Sequence, residues 1–93
     1  MKIVLNKCYG GFGLSKKAVD MLNAETSYDY NAYDRRTDEE LIKVVEELGE
    51  EANSRFSKLM VVDIPDTATD WQIDDYDGIE RITFVVDGRI YFA

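Results

Sequence analysis

The chain has 93 residues, enough for a single hydrophobic core and a single domain, 1–93. Its hydrophobic content of 45% and aromatic content of 12% exclude a disordered tail, and 19 acidic against 11 basic residues give a formal net charge of −8. The absence of histidine and the presence of one cysteine exclude His-dependent acid–base catalysis, Cys–His nucleophile pairs, His-ligated metal centres, intrachain disulfides and multi-cysteine zinc sites.

The opening MKIVLNK lacks the apolar stretch and small-residue cleavage site of a secretory signal, and no window approaches a membrane-spanning length. With a lone free thiol, this predicts a soluble protein of a reducing cytoplasm. Ile3-Val4-Leu5 reads as a buried strand that enters the glycine-rich turn Cys8-Tyr9-Gly10-Gly11-Phe12-Gly13. Ser15 is placed to cap a helix whose apolar face is Ala18, Val19, Met21 and Leu22, ending near Asn23. Residues 25–36 (ETSYDYNAYDRR) have no helical or strand period and read as a polar connection carrying three tyrosines. Thr37 and Glu40 form a T-x-x-E capping box ahead of Leu41, Val44, Val45 and Leu48, one stripe of an amphipathic helix. Gly49 is a candidate stop, but Ala52 continues the stripe, so the helix is expected to run through to about Asn53.

The second half reads as strands. KLMVVDI (58–64) ends at the Pro65-Asp66 turn, and Trp71 to Tyr76 alternates between two unlike faces before Asp77-Gly78. Arg81 to Val86 and Arg89 to Phe92 flank Asp87-Gly88, the strongest hairpin signal in the chain. The order implies an α+β fold: an N-terminal strand, a glycine-rich loop, two helices, then a mainly antiparallel sheet with a terminal β-hairpin.

Charge is uneven along the chain. Residues 1–24 carry four lysines against Asp20, a net +3, while the remainder carries 7 basic and 18 acidic groups, a net −11. A nucleic-acid binder needs a basic stripe to neutralise phosphates, so neither direct nucleic-acid binding nor membrane binding is expected.

Three features bear on chemistry. The loop and helix start from Tyr9 to Lys17 (Tyr9, Gly10, Gly11, Phe12, Gly13, Ser15, Lys16 and Lys17) can be read as an anion cradle for a nucleotide or phosphorylated messenger. Lys16 and Lys17 in a first helical turn oppose the helix dipole, a penalty that a bound anion would offset. The competing reading is that the glycines fold Tyr9 and Phe12 back on the core; G-x-G-x-x-G lacks its third glycine at Lys16, and no Walker pattern is present. Cys8 reads as a small buried apolar residue. Asp74-Asp75-Tyr76-Asp77-Gly78 fails the EF-hand register, with Ile73 in the first place and Phe84 in the last, and reads as an acidic turn; no metal and no cofactor are expected. Tyr28, Tyr30 and Tyr33, beside Arg35 and Arg36, are residue types enriched at interface hot spots. The acidic helix face, with Glu39, Glu46, Glu47 and Glu50, offers carboxylates that could stand in for phosphates on a protein partner.

KIVLNKCYGGFGLS, RTDEELIKVVEELGEEANSRFSKLMVVDIP and WQIDDYDGIE together resemble a family of small, largely uncharacterised proteins encoded by bacteriophages and prophages. The likeness spans about two-thirds of the chain; residues 25–36 and the ending ITFVVDGRIYFA depart from it. The resemblance implies a phage accessory protein in a bacterial cytoplasm and transfers no catalytic residues. The expected function is therefore a non-enzymatic accessory protein that binds and modulates a host protein, such as a defence nuclease, CRISPR effectors included, with inhibition the expected mode. The alternative is a small-ligand binder at Cys8–Lys17. The terminal hairpin also leaves an edge strand open to pairing with a second copy, a homodimer.

Overall fold

Ile3, Val4 and Leu5 are all fully buried because the strand that carries them has a layer on each side. In the computed structural model, which describes residues 1–93, that strand is β1 (Lys2–Asn6), paired antiparallel with β2 (Leu59–Asp63). Val4 packs with Leu41, Val44, Val45 and Ala52 on the helical side. Ile3 and Leu5 point the other way, against Ile73, Ile82 and Phe84 of a three-stranded sheet. The fold is thus α+β, with a two-stranded ribbon between helices and a second sheet. The strand at 58–64 closes the N-terminal ribbon instead of joining the C-terminal sheet.

That second sheet is a meander of β3 (Asp70–Tyr76), β4 (Ile79–Val86) and β5 (Arg89–Phe92), all antiparallel. Its two hairpins turn on Asp77-Gly78 and Asp87-Gly88, with φ of 51° and 93° in the first and 51° and 76° in the second. Two residues at positive φ make the mirror-image turns that match strand twist, so both hairpin signals are realised. Gly78 has a second reason to lack a side chain: a Cβ there would collide with the backbone of Gly10 and Gly11. The glycine loop and this turn interlock, and the Gly10 N–H donates to the Asp77 carbonyl.

The helices are α1 (Lys16–Leu22) and α2 (Glu39–Leu48). Ser15 caps α1 as the sequence implies, its Oγ accepting from the Ala18 N–H. Ala18 is buried while Met21 points outward. Two expectations for α2 are corrected. Its cap is Asp38, whose carboxylate accepts from the Leu41 N–H, in place of Thr37. The helix also stops at Leu48, because Gly49 turns to φ 56° and the chain continues as a 3-10 turn, Gly49–Ala52. That turn still delivers Ala52 to the core, which is why the apolar stripe looked unbroken.

Candidate functional site

At the junction of the three layers lies an ion pair with no solvent exposure to speak of: Arg36 is 0% and Glu80 2% exposed. The two side chains meet through two parallel bonds, Nη1 to Oε1 at 2.6 Å and Nη2 to Oε2 at 2.7 Å. Every other guanidinium donor is also used. Nε donates to the Tyr30 and Asn31 carbonyls, Nη1 to the Val4 carbonyl and Nη2 to the Asn31 carbonyl. All five N–H groups of the arginine are therefore engaged. Glu80 additionally accepts from the Asn6 N–H. Asn6, itself buried, donates to the Cys8 and Gly78 carbonyls and accepts from the Lys58 N–H. The guanidinium carbon sits 4.0 Å from the Phe12 ring centroid and 5.5 Å from that of Tyr33. One polar node thus ties the connection, both sheets and the glycine loop together.

Above this node opens a cleft of about 470 Å³. Gly10, Gly11 and Phe12 line it from the loop, Tyr28, Asn31, Ala32 and Tyr33 from the connection, and Asp75 and Glu80 from the C-terminal sheet. Burial pushes the Tyr33 phenol above its ordinary pKa, and the Asp75 and Glu80 carboxylates push it further, outweighing Arg36. Of the charged residues that line the cleft, Asp75 and Glu80, both are acidic, and Glu80 is paired with Arg36. Asp75 forms no ion pair; its Oδ1 accepts only from the Gly78 N–H within the turn.

The residues singled out in the sequence are divided among different surroundings. Tyr9 to Phe12 supply one wall of the cleft through Gly10, Gly11 and Phe12, but Tyr9 projects outward at 66% exposure, so only Phe12 folds back on the core. Gly13 is buried under Ser54 and Ser57, and the Ser57 hydroxyl donates to its carbonyl. Ser15 is occupied as the cap and by its own bond to the Glu51 carbonyl. Lys16 and Lys17 lie outside the cleft, paired with Asp20 and Glu51, so the loop and its two lysines do not face one cavity. The basic surplus of the N-terminal quarter is likewise spread out: Lys2 pairs with Glu46, and Lys7 is half-buried and donates to the Glu80 carbonyl, its pKa lowered by desolvation.

Among the tyrosines, Tyr28 and Tyr33 rim the cleft, whereas Tyr30 is corrected from contact residue to core residue. Only 9% of it is exposed, because it closes the helical cluster between Phe12 and Leu41, with Arg35 stacked 4.2 Å from its ring. Glu39, Glu46, Glu47 and Glu50 are all exposed; the first three border a separate groove along α2 with Met1 and Lys2. Cys8 is half-buried instead of fully buried, and its thiol donates to the Phe56 carbonyl at 3.3 Å. Asp74 and Asp75 serve the sheet, Asp74 accepting from Thr83 and Gln72. No group of His, Cys, Asp and Glu side chains is arranged to hold a metal ion, and no helix is long and apolar enough to cross a membrane.

Sequence reasoning missed the central pair. Glu80 carried a signal, since it alternates with Ile82 and Phe84 on the inward face of its strand. Arg36 carried none, because nothing local marks one arginine of a polar connection as buried. In comparisons with known proteins, the chain matches no family model, no curated protein and no solved structure at a significant level.

Proposed function

We propose that this protein is a non-enzymatic accessory protein that binds and inhibits a protein of the host cell, in keeping with its phage-like sequence features, and that a defence nuclease, CRISPR effectors included, is the class of partner to test. The observation that carries the reading is the pairing of exposed aromatic surface with unpaired negative charge at one cleft. Tyr28 is 66% and Tyr33 43% exposed beside Asp75, on a connection fixed from beneath by Arg36. Tyrosines presented on a rigid base bury much area at small entropic cost, which is how a few residues come to dominate an interface. The exposed acids of α2 lie on a separate groove, and they too repel nucleic acid and anionic lipid, leaving a protein as the fitting partner. Within the cleft no nucleophile stands beside a base, which supports binding over catalysis.

The test is affinity capture from a host lysate with identification of the retained protein, followed by inhibition of that protein's own activity. Tyr28→Ala with Tyr33→Ala should lower retention at least tenfold, since each is a hot-spot truncation of about 1–2 kcal/mol, while the melting temperature stays within about 3 °C. Full retention by the double variant sinks the assignment of this surface.

A further inference from the structure

We propose that the cleft is a pocket for a guanidinium group, the side chain of an arginine on the partner protein. This rests on the protein-binding reading and names the chemistry of its central contact. Every charged group at the cleft is accounted for. The Arg36 charge is cancelled by Glu80, and all five of its N–H donors are taken, so the one cation of the site has nothing left to offer an anion. The one charge the lining leaves unpaired is negative, the Asp75 carboxylate, whose Oδ2 enters no hydrogen bond; beside it stand the uncommitted Asn31 side-chain amide and the Tyr28 and Tyr33 hydroxyls. Acceptors and aromatic faces without a competing donor cation are the complement of a planar cation, which stacks on a ring while its fork meets a carboxylate. The fold already contains this arrangement in miniature, with the Arg36 guanidinium over Phe12 and forked onto Glu80.

Guanidinium is favoured over ammonium on two grounds. It is more weakly hydrated, so it gives up water at lower cost, and its flat face suits stacking on the exposed tyrosine rings better than a point charge does. Phosphate and other anions are disfavoured by the same carboxylates.

The probe is N-acetyl-arginine amide, titrated into isotope-labelled full-length protein and followed by amide chemical shifts; no partner protein is needed. Saturable shifts are expected at Gly10, Gly11, Asn31, Tyr33 and Asp75, weakened about five- to tenfold by Asp75→Asn or Tyr33→Ala. Asp75→Asn keeps the Oδ1 acceptor of the turn, and an unchanged amide spectrum elsewhere reports that the fold is intact. Three results overturn the proposal: no saturable shift, the same map with N-acetyl-glutamate amide or inorganic phosphate, or tighter binding of spermidine than of the arginine probe. A pocket that binds the probe while no host protein is captured refutes only the partner reading, and capture without probe binding refutes only the pocket.

Discussion

Removing Arg36 is the most informative perturbation of this fold. Arg36→Met deletes a bidentate pair at 2.6 and 2.7 Å, frees the carbonyls of Val4, Tyr30 and Asn31, and takes a cation off the Phe12 ring. It leaves a Glu80 carboxylate that is 2% exposed with a single remaining donor, the Asn6 N–H. Breaking a buried pair by removing one partner costs about 3–5 kcal/mol. A domain of this size is stable by about 5–10 kcal/mol, so the variant forfeits a large part of its margin. At about 4–8 °C per kcal/mol, the melting temperature should fall by roughly 12–40 °C. The double variant Arg36→Met with Glu80→Leu should recover more than half of that loss, because an apolar pair of similar volume removes the stranded charge. Urea unfolding followed through Trp71, the only tryptophan and half-buried at the sheet, gives all four corners of the cycle. If both single variants lose under about 1 kcal/mol, or the double is no better than the worse single, the node is not what joins the layers.

Two smaller perturbations separate alternatives the sequence left open. Asp38→Ala should cost about 1 kcal/mol in thermal unfolding and Thr37→Ala only a few tenths, since Asp38 is the side chain that accepts from the Leu41 N–H; equal losses would restore the threonine cap. Asp29 accepts from the Glu25 N–H and the Thr26 hydroxyl, which hold its carboxyl below the ordinary value. With the folded pKa depressed, its stabilisation is present above the unfolded value of about 3.9 and is lost as pH falls through the folded one. Asp29→Asn should therefore lower the melting temperature at pH 7, and its deficit against the parent protein should shrink steadily as pH falls below about 3.9; a gap that stays constant into acid would locate the effect elsewhere.

Local signals were sufficient wherever structure is fixed by nearest neighbours. The two Asp-Gly hairpins, the Ser15 cap and the α2 stripe each depend on a few adjacent residues, and each is where the pattern puts it. The misplaced end of α2 marks the limit of periodicity. Ala52 satisfies the helical count, yet it reaches the core from a 3-10 turn, and only the positive φ of Gly49 tells the two apart. Partners distant in sequence were not legible. β2 pairs with β1 across more than fifty residues, and Arg36 meets Glu80 across 44, so no local window contains either relation. The glycine loop shows the same limit: its two lysines follow in sequence, but its spatial neighbours are the Asp77-Gly78 turn and the connection, and of the two residues read as folding back on the core Phe12 does and Tyr9 does not.

The connection from 25 to 36 shows why composition alone could not separate rim residues from folding residues there. Three tyrosines are followed by two arginines within twelve positions, and within each type the backbone path buries one and exposes the others. Tyr30 and Arg36 turn inward and lock the segment to Phe12, Val4 and Glu80; Tyr28 and Tyr33 are left at the rim. In the proposed interface the inward pair would keep the outward pair ready for contact, because an aromatic side chain on a mobile loop would surrender its contact energy to ordering. A scan that replaced all three tyrosines together would therefore confuse loss of contact with loss of fold. Substitutions at Tyr28 and Tyr33 should change binding alone, Tyr30→Ala should lower stability by about 2–4 kcal/mol as a buried aromatic truncation, and only that contrast assigns the surface.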